Sequence, residues 1–134
     1  MSDEKLEEIK RKKFEAYMNI RSMPKEIVHL ETPESLKELM NKFPDKVVII
    51  DFWAQWCAPC LSFAPVFEKF QKEYGNQFIF TKLNVDNNPQ LAQQFGITGI
   101  PTTVFIKNGQ LLRKQVGAMN YESMKMLLHK FKSY

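Results

Sequence analysis

The sequence predicts an α/β protein: a mixed central β-sheet flanked by helices on both faces, plus an extra N-terminal helix. Three observations predict it. The run Lys46-Val-Val-Ile-Ile-Asp-Phe-Trp53 is β-branched and aromatic without period-2 alternation, the mark of a strand covered on both faces. Helical and extended stretches alternate through the middle of the chain, and such βαβ units require right-handed crossovers and parallel pairing. Near the end, Asn108-Gly109 separates two extended runs, a strong hairpin signal that makes the last two strands antiparallel.

Each element has a local reason. Ser2 or Asp3 can cap a helix over residues 4–20, where Leu6, Ile9, Ala16, Tyr17 and Ile20 fall on one stripe interrupted by Lys13. Met23-Pro24 ends it, because a residue before proline avoids the helical region. Residues 27–30 read as a short strand. Thr32-Pro33 opens a second helix to about residue 42, and Pro44-Asp45 is a turn. After the buried strand, residues 59–74 are helical with Pro65 inside, and Gly75 closes them as a C-cap. Residues 78–85 form a strand, and Asn88-Pro89 opens a helix to residue 95 that Gly96 closes. Residues 102–106 and 111–116 form the hairpin, and Asn120 caps a last helix through residue 131.

Composition narrows the function. With 134 residues, 44% hydrophobic and 25% charged, the chain can bury a core without disulfide or metal staples. Five Gly, seven Pro and eleven Phe without a low-complexity tract exclude collagenous and disordered classes. The net charge of +4 does not point to nucleic acid. Its densest basic run, Lys10-Arg11-Lys12-Lys13, lies among Glu7, Glu8 and Glu15, as on a solvated helix face. The longest apolar stretch, around residues 47–53, is far short of a membrane span. The opening Met-Ser-Asp-Glu-Lys is charged and carries no apolar leader segment, so a cytoplasmic location is expected.

Two cysteines, Cys57 and Cys60, form one Cys-x-x-Cys. A structural zinc site wants four ligands, and His29 and His129 are far off in sequence, so no metal is expected. Leu61 follows the second cysteine, which excludes the haem-attachment pattern. What remains is redox chemistry. The pair falls where a buried strand gives way to a helix, whose N-terminal N–H groups favour a thiolate. An outer thiolate at Cys57 can attack a disulfide, and Cys60, one turn inside, can resolve the product. Two ordinary buried cysteines are the competing reading. Asp51, inside the apolar strand, reads as a buried carboxylate with a raised pKa that can accept a proton; a strand-end carboxylate facing solvent is the alternative.

The chain resembles the thioredoxin family over about residues 25–134. The matching segments are Asp51-Phe-Trp-Ala-Gln-Trp-Cys-Ala-Pro-Cys60, Pro65, Lys82-Leu-Asn-Val-Asp86, Gly99-Ile-Pro-Thr102, Lys107-Asn-Gly109 and Gly117-Ala118. The resemblance implies a thioredoxin fold over 25–134, with 1–24 as an added helical extension. It implies a protein-disulfide oxidoreductase with Cys57 as nucleophile, Cys60 as resolving thiol, Asp51 as proton acceptor and Lys82 as modulator of Asp51. From its strand alone, Lys82 reads equally as a solvated lysine. The resemblance makes Ile100-Pro101 a cis-proline turn against the dithiol. It places Trp53, Trp56, Ala58, Pro59, Ile100, Pro101 and Gly117 on the client-docking surface. Ala58-Pro59 departs from the usual Gly-Pro, and Leu61 replaces a common lysine. No Gly-x-Gly-x-x-Gly or phosphate loop is present, so the only redox group expected is the cysteine pair itself. The implied partners are disulfide-containing client proteins and a thioredoxin reductase as electron donor, with the chain a monomer. A donor dedicated to one client enzyme and a thioredoxin-fold interaction module are the competing functions.

Overall fold

The structure, a computed structural model, describes residues 2–134; the side chains of residues 19–21 lie outside the described residues, and with them the expected placement of Ile20 on the stripe. In chain order the elements are α1 (Asp3–Ser22), β1 (Val28–His29), α2 (Pro33–Lys42), β2 (Val47–Trp53), α3 (Ala58–Tyr74), β3 (Phe78–Asn84), α4 (Pro89–Gln94), β4 (Thr102–Lys107), β5 (Gln110–Val116) and α5 (Tyr121–His129). The strands form one sheet in the order β1-β3-β2-β4-β5. β1 and β2 flank β3 in parallel, whereas β4 runs antiparallel to both β2 and β5. This is the mixed sheet expected from the sequence.

Alternation along the central strands sorts the core into two layers. Val48, Ile50 and Phe52 of β2 and Ile79 and Leu83 of β3 face one side, packed with Leu36 of α2 and Leu91 of α4. Val47 and Ile49 face the other, with Phe78 and Phe80, under Phe63, Phe67 and Phe70 of α3 and Met124, Leu127 and Leu128 of α5. Both faces of β2 are therefore dry, which is why its sequence shows no alternation.

The local signals operate mostly as expected. Ser2 caps α1, its Oγ accepting from Lys5 N–H at 3.2 Å. Thr32 and Ser35 form a reciprocal capping box on α2. Asn120 Oδ1 accepts from Ser123 N–H at 2.9 Å. Asn108 and Gly109 both take positive φ, 48° and 84°, as a two-residue hairpin with primed-turn twist requires. Two helix ends are built in less usual ways. Asn88 holds the cap position of α4 but makes no capping bond; its amide instead donates to Leu30 O at 3.5 Å. Gly75 closes α3 as expected, at φ −65°. A Cβ there would lie 2.5 Å from Gln71 O, so the glycine answers to space. Pro65 stays inside an unbroken α3.

α1 is helical as expected, and among the described residues of its stripe Ile9 is half-buried while Leu6, Ala16 and Tyr17 are exposed. Leu6, Phe14, Tyr17 and Met18 are exposed, and none of the α1 side chains described enters a core cluster. The anchor comes just after the helix: Met23 is buried in the same layer as Leu30 and Leu36. Deleting residues 1–22 is therefore expected to leave the melting temperature nearly unchanged. Deletion through residue 24 strips the core of Met23, a loss of about 2–4 kcal/mol that lowers the melting temperature by on the order of 10 °C. Thermal unfolding of the two truncations checks this.

Candidate active site

β2 ends at Trp53 and α3 begins at Ala58, with four residues between them. Between them Cys57 N–H donates to Ala54 O at 3.3 Å, turning the chain sharply so that Cys57 becomes the N-cap residue of α3. Its Sγ takes the place of the usual capping oxygen, 3.2 Å from Cys60 N–H. The sulfur thus sits on the positive end of the helix, where an anion is stabilised. Cys57 and Cys60 are joined as a disulfide with Cα atoms 5.2 Å apart, so the structure is that of the oxidised form. Both are buried and packed with Ala54, Trp53, Val85 and Ile100. The Ile100-Pro101 peptide is cis, and Ile100 O lies 3.7 Å from Cys57 Sγ.

Asp51 occupies the α3-facing side of β2, with Lys82 beside it on β3 and Thr103 opposite on β4. It is fully buried, and neither carboxylate oxygen has a hydrogen-bond partner among the described residues. Lys82 Nζ is 3.9 Å from Oδ2, close enough to pair but too far to hydrogen-bond, and also lies over the Trp53 ring at 4.8 Å. Burial lifts the Asp51 pKa from the ordinary 3.8 to about 7, against the opposing pull of Lys82. The solvent-facing alternatives for Asp51 and Lys82 do not hold: both are buried.

The expected docking residues divide by depth. Trp56 (71% exposed), Ala58 and Pro59 are exposed beside the disulfide, and Ile100 and Gly117 are half-buried. Gly117 N–H donates to Pro101 O at 2.8 Å, which ties the β5 end to the cis-proline turn. Pro101 itself is buried, and Trp53 is half-buried with its Nε1 sealed from water. Leu61 and Val116, both exposed, are apolar neighbours in sequence of Cys60 and Gly117.

Two residues had no assigned role in the sequence. Asp86 Oδ2 accepts the Trp56 indole N–H at 2.9 Å, which holds a large exposed ring in place. Thr103 puts a buried hydroxyl, without a hydrogen-bond partner among the described residues, opposite Asp51. No local pattern could have found either, because each partner lies 30 residues or more away and meets it only through the sheet. Among the described residues, no cluster of three or more His, Cys, Asp or Glu could hold a metal, and no helix is long and apolar enough to cross a membrane.

The thioredoxin family model matches residues 26–130. The chain belongs to the thioredoxin family. Among curated members, thioredoxin from Chlorobaculum thiosulfatiphilum is 48% identical over 75 residues, 56% of this chain and 69% of that one. Thioredoxin from Haemophilus influenzae is 38% identical over 94 residues, 70% of this chain and 86% of that one. Among solved structures, Malassezia sympodialis thioredoxin superposes with a TM-score of 0.73 at 37% identity, covering 81% of this chain and 95% of its own. Fasciola hepatica thioredoxin gives 0.73 at 34% identity, covering 78% and 98%. With the family's Cys-x-x-Cys closed as a disulfide at the head of α3, this thioredoxin-family chain is a thiol–disulfide oxidoreductase. Such enzymes reduce disulfide clients and are recharged by a thioredoxin reductase, with the cysteine pair as the redox group.

Proposed function

We propose that the chain is a general protein-disulfide reductase in which Cys57 attacks and Cys60 resolves. The observation that carries this is Cys57 Sγ capping α3 beside the cis-proline turn, next to an exposed apolar rim. In the reduced protein the helix terminus favours the Cys57 thiolate, and Leu61 leaves that task to the helix, adding no cation. A client strand lies along Ile100, with Trp56, Ala58, Pro59 and Gly117 around it.

Cys57 S⁻ attacks one sulfur of the client disulfide, forming the mixed disulfide and expelling the other client sulfur as a thiolate, which takes a proton from water. The Cys60 thiol then gives its proton to Asp51 and attacks Cys57 Sγ. The Cys57–Cys60 bond forms, the mixed disulfide breaks, and the second client sulfur leaves as a thiolate that takes a proton from water. Two electrons have passed from the protein to the client. Lys82 steadies the Asp51 anion, and a thioredoxin reductase returns the electrons.

All of these residues come from one chain, so the catalytic unit is a monomer, made by residues 25–134, with residues 1–24 as an extension. The reducing cytoplasm is the compartment that suits a reductant of this kind, and neither nucleic acid nor a further cofactor enters the cycle. The purified chain should reduce insulin disulfides with thioredoxin reductase and its nucleotide, at a rate proportional to its concentration. A chain that binds thiol proteins but leaves insulin intact would instead be an interaction module, and one active only toward a peroxidase or sulfoxide reductase a dedicated donor.

Trp56→Ala is expected to raise KM for a protein client by about five- to twentyfold, because a large docking ring is lost, with little change in kcat. Steady-state kinetics with insulin separates the two constants.

A further inference from the structure

Among the described residues, every buried side-chain polar atom left without a hydrogen-bond partner belongs to Asp51, Trp53 or Thr103. The three lie together. Asp51 and Trp53 are two residues apart on β2 and share a face, and Thr103 is the direct antiparallel partner of Asp51 on β4. Their chemistry is complementary: the carboxylate oxygens accept, the hydroxyl donates or accepts, and the indole N–H donates. Thr103 also stands apart from the other buried threonines. Thr81 Oγ1 donates to Ile49 O at 3.0 Å and Thr102 Oγ1 to Gly99 O at 2.6 Å, whereas the Thr103 hydroxyl reaches no carbonyl. Thr103 is wholly buried, on the strand face it shares with Phe105. Valine would fill the same space with no polar atom to seal from water, so packing does not account for the hydroxyl.

Resting on the reading of Asp51 as proton acceptor, we propose that Thr103 is a positioning residue for that step: its hydroxyl donates to the Asp51 carboxylate and holds it for the Cys60 proton. Directly opposed residues of an antiparallel pair have Cα atoms about 5 Å apart, with their side chains next to each other. Trp53 is farther, about 7 Å along the strand, and its ring already carries Lys82 Nζ at 4.8 Å. Lys82 stands 3.9 Å from Oδ2, so it supplies charge but no hydrogen bond. The hydroxyl supplies that bond. It turns between staggered positions to donate to the anion, and it accepts from the carboxylic acid once the proton has arrived. The titratable groups that neighbouring elements bury on this side are Lys82 on β3 and Cys57 and Cys60 at the head of α3. The other buried side chains of α3 and those of α5 are apolar.

Carbon-13 NMR of the Asp51 carboxyl in reduced wild type, Thr103→Val and Thr103→Ser tests this. Losing a donor to the anion strengthens proton binding, so the Thr103→Val midpoint should move up by about one pH unit. Thr103→Ser keeps the hydroxyl and should stay within a few tenths of wild type. Insulin reduction should follow the titration. Well below the midpoint Thr103→Val should be slower by about tenfold, the change in anion that one pH unit represents, and well above it the two rates should meet. In an Asp51→Asn background, Thr103→Val should slow reduction no further. A Thr103→Val midpoint equal to that of wild type overturns the proposal, whatever happens to stability. A Thr103→Ser midpoint that moves as far as that of Thr103→Val overturns it too, because the methyl group is then responsible. So does a further loss of rate in the Asp51→Asn background, which places the effect elsewhere. If Asp51→Asn itself reduces insulin at the wild-type rate, the proton-acceptor reading is what fails, and the positioning role of Thr103 with it.

Discussion

Cys57→Ser is expected to remove insulin reduction altogether, to below about a thousandth of the wild-type rate, because no thiolate is left to open the client disulfide. Cys60→Ser has a different signature. Cys57 still attacks, but nothing resolves the product, so covalent complexes accumulate and turnover falls by about a hundredfold or more. Non-reducing electrophoresis after mixing with a client shows the trapped species, and added dithiothreitol releases it. The proposed roles rest on the placement of the two sulfurs: Cys57 Sγ receives the Cys60 N–H at the helix cap and is 5% exposed, whereas Cys60 lies one turn inside at 1%. A Cys60→Ser variant with full activity and no trapped complex would reverse the order of attack.

Asp51→Asn is expected to stabilise the protein above neutral pH while slowing its turnover. The folded pKa of about 7 exceeds the ordinary 3.8, so between those values the folded state binds more protons than the unfolded state. Stability tied to Asp51 is therefore complete below about pH 3.8 and is lost progressively as pH rises through 7. By pH 8 the loss is on the order of 4 kcal/mol, since each pH step between the two values costs about 1.4 kcal/mol. An amide carries no charge to bury and escapes it. Urea unfolding of both proteins at pH 4, 6 and 8 should show the two curves diverging as pH rises. Turnover should fall several-fold in the variant, because Cys60 loses its proton acceptor. Equal stability at pH 8 would mean that Asp51 is solvated or firmly paired in solution.

Much of this molecule was legible in its sequence because the signals are local. The unbroken apolar run of β2 marks a strand buried on both faces. Asn108-Gly109 marks the hairpin, and Thr32, Asn120 and Ser2 mark helix starts through hydrogen bonds that span only three residues. The cysteine pair declares itself likewise, since a spacing of three residues at a helix start suffices to join the sulfurs. Asp51 was legible by contradiction: a carboxylate among Val, Ile and Phe has no stability reason to be there.

What the tertiary structure decided is everything that depends on partners distant in sequence. Strand register puts Lys82 and Thr103 on either side of Asp51, and no periodicity could have chosen them. The hydrogen bond from Trp56 to Asp86 spans 30 residues, and the approach of Ile100 O to Cys57 Sγ spans 43. Asn88 shows the same limit from the other side: its capping side chain found Leu30 O, 58 residues away, and left its own helix uncapped. The amphipathic stripe of α1 names a face but not what covers it. Backbone geometry and capping are set by neighbours within one turn, so they can be read in order along the chain. Proton affinity and docking surface arise from groups that meet only when the sheet closes, and only the folded chain assembles them.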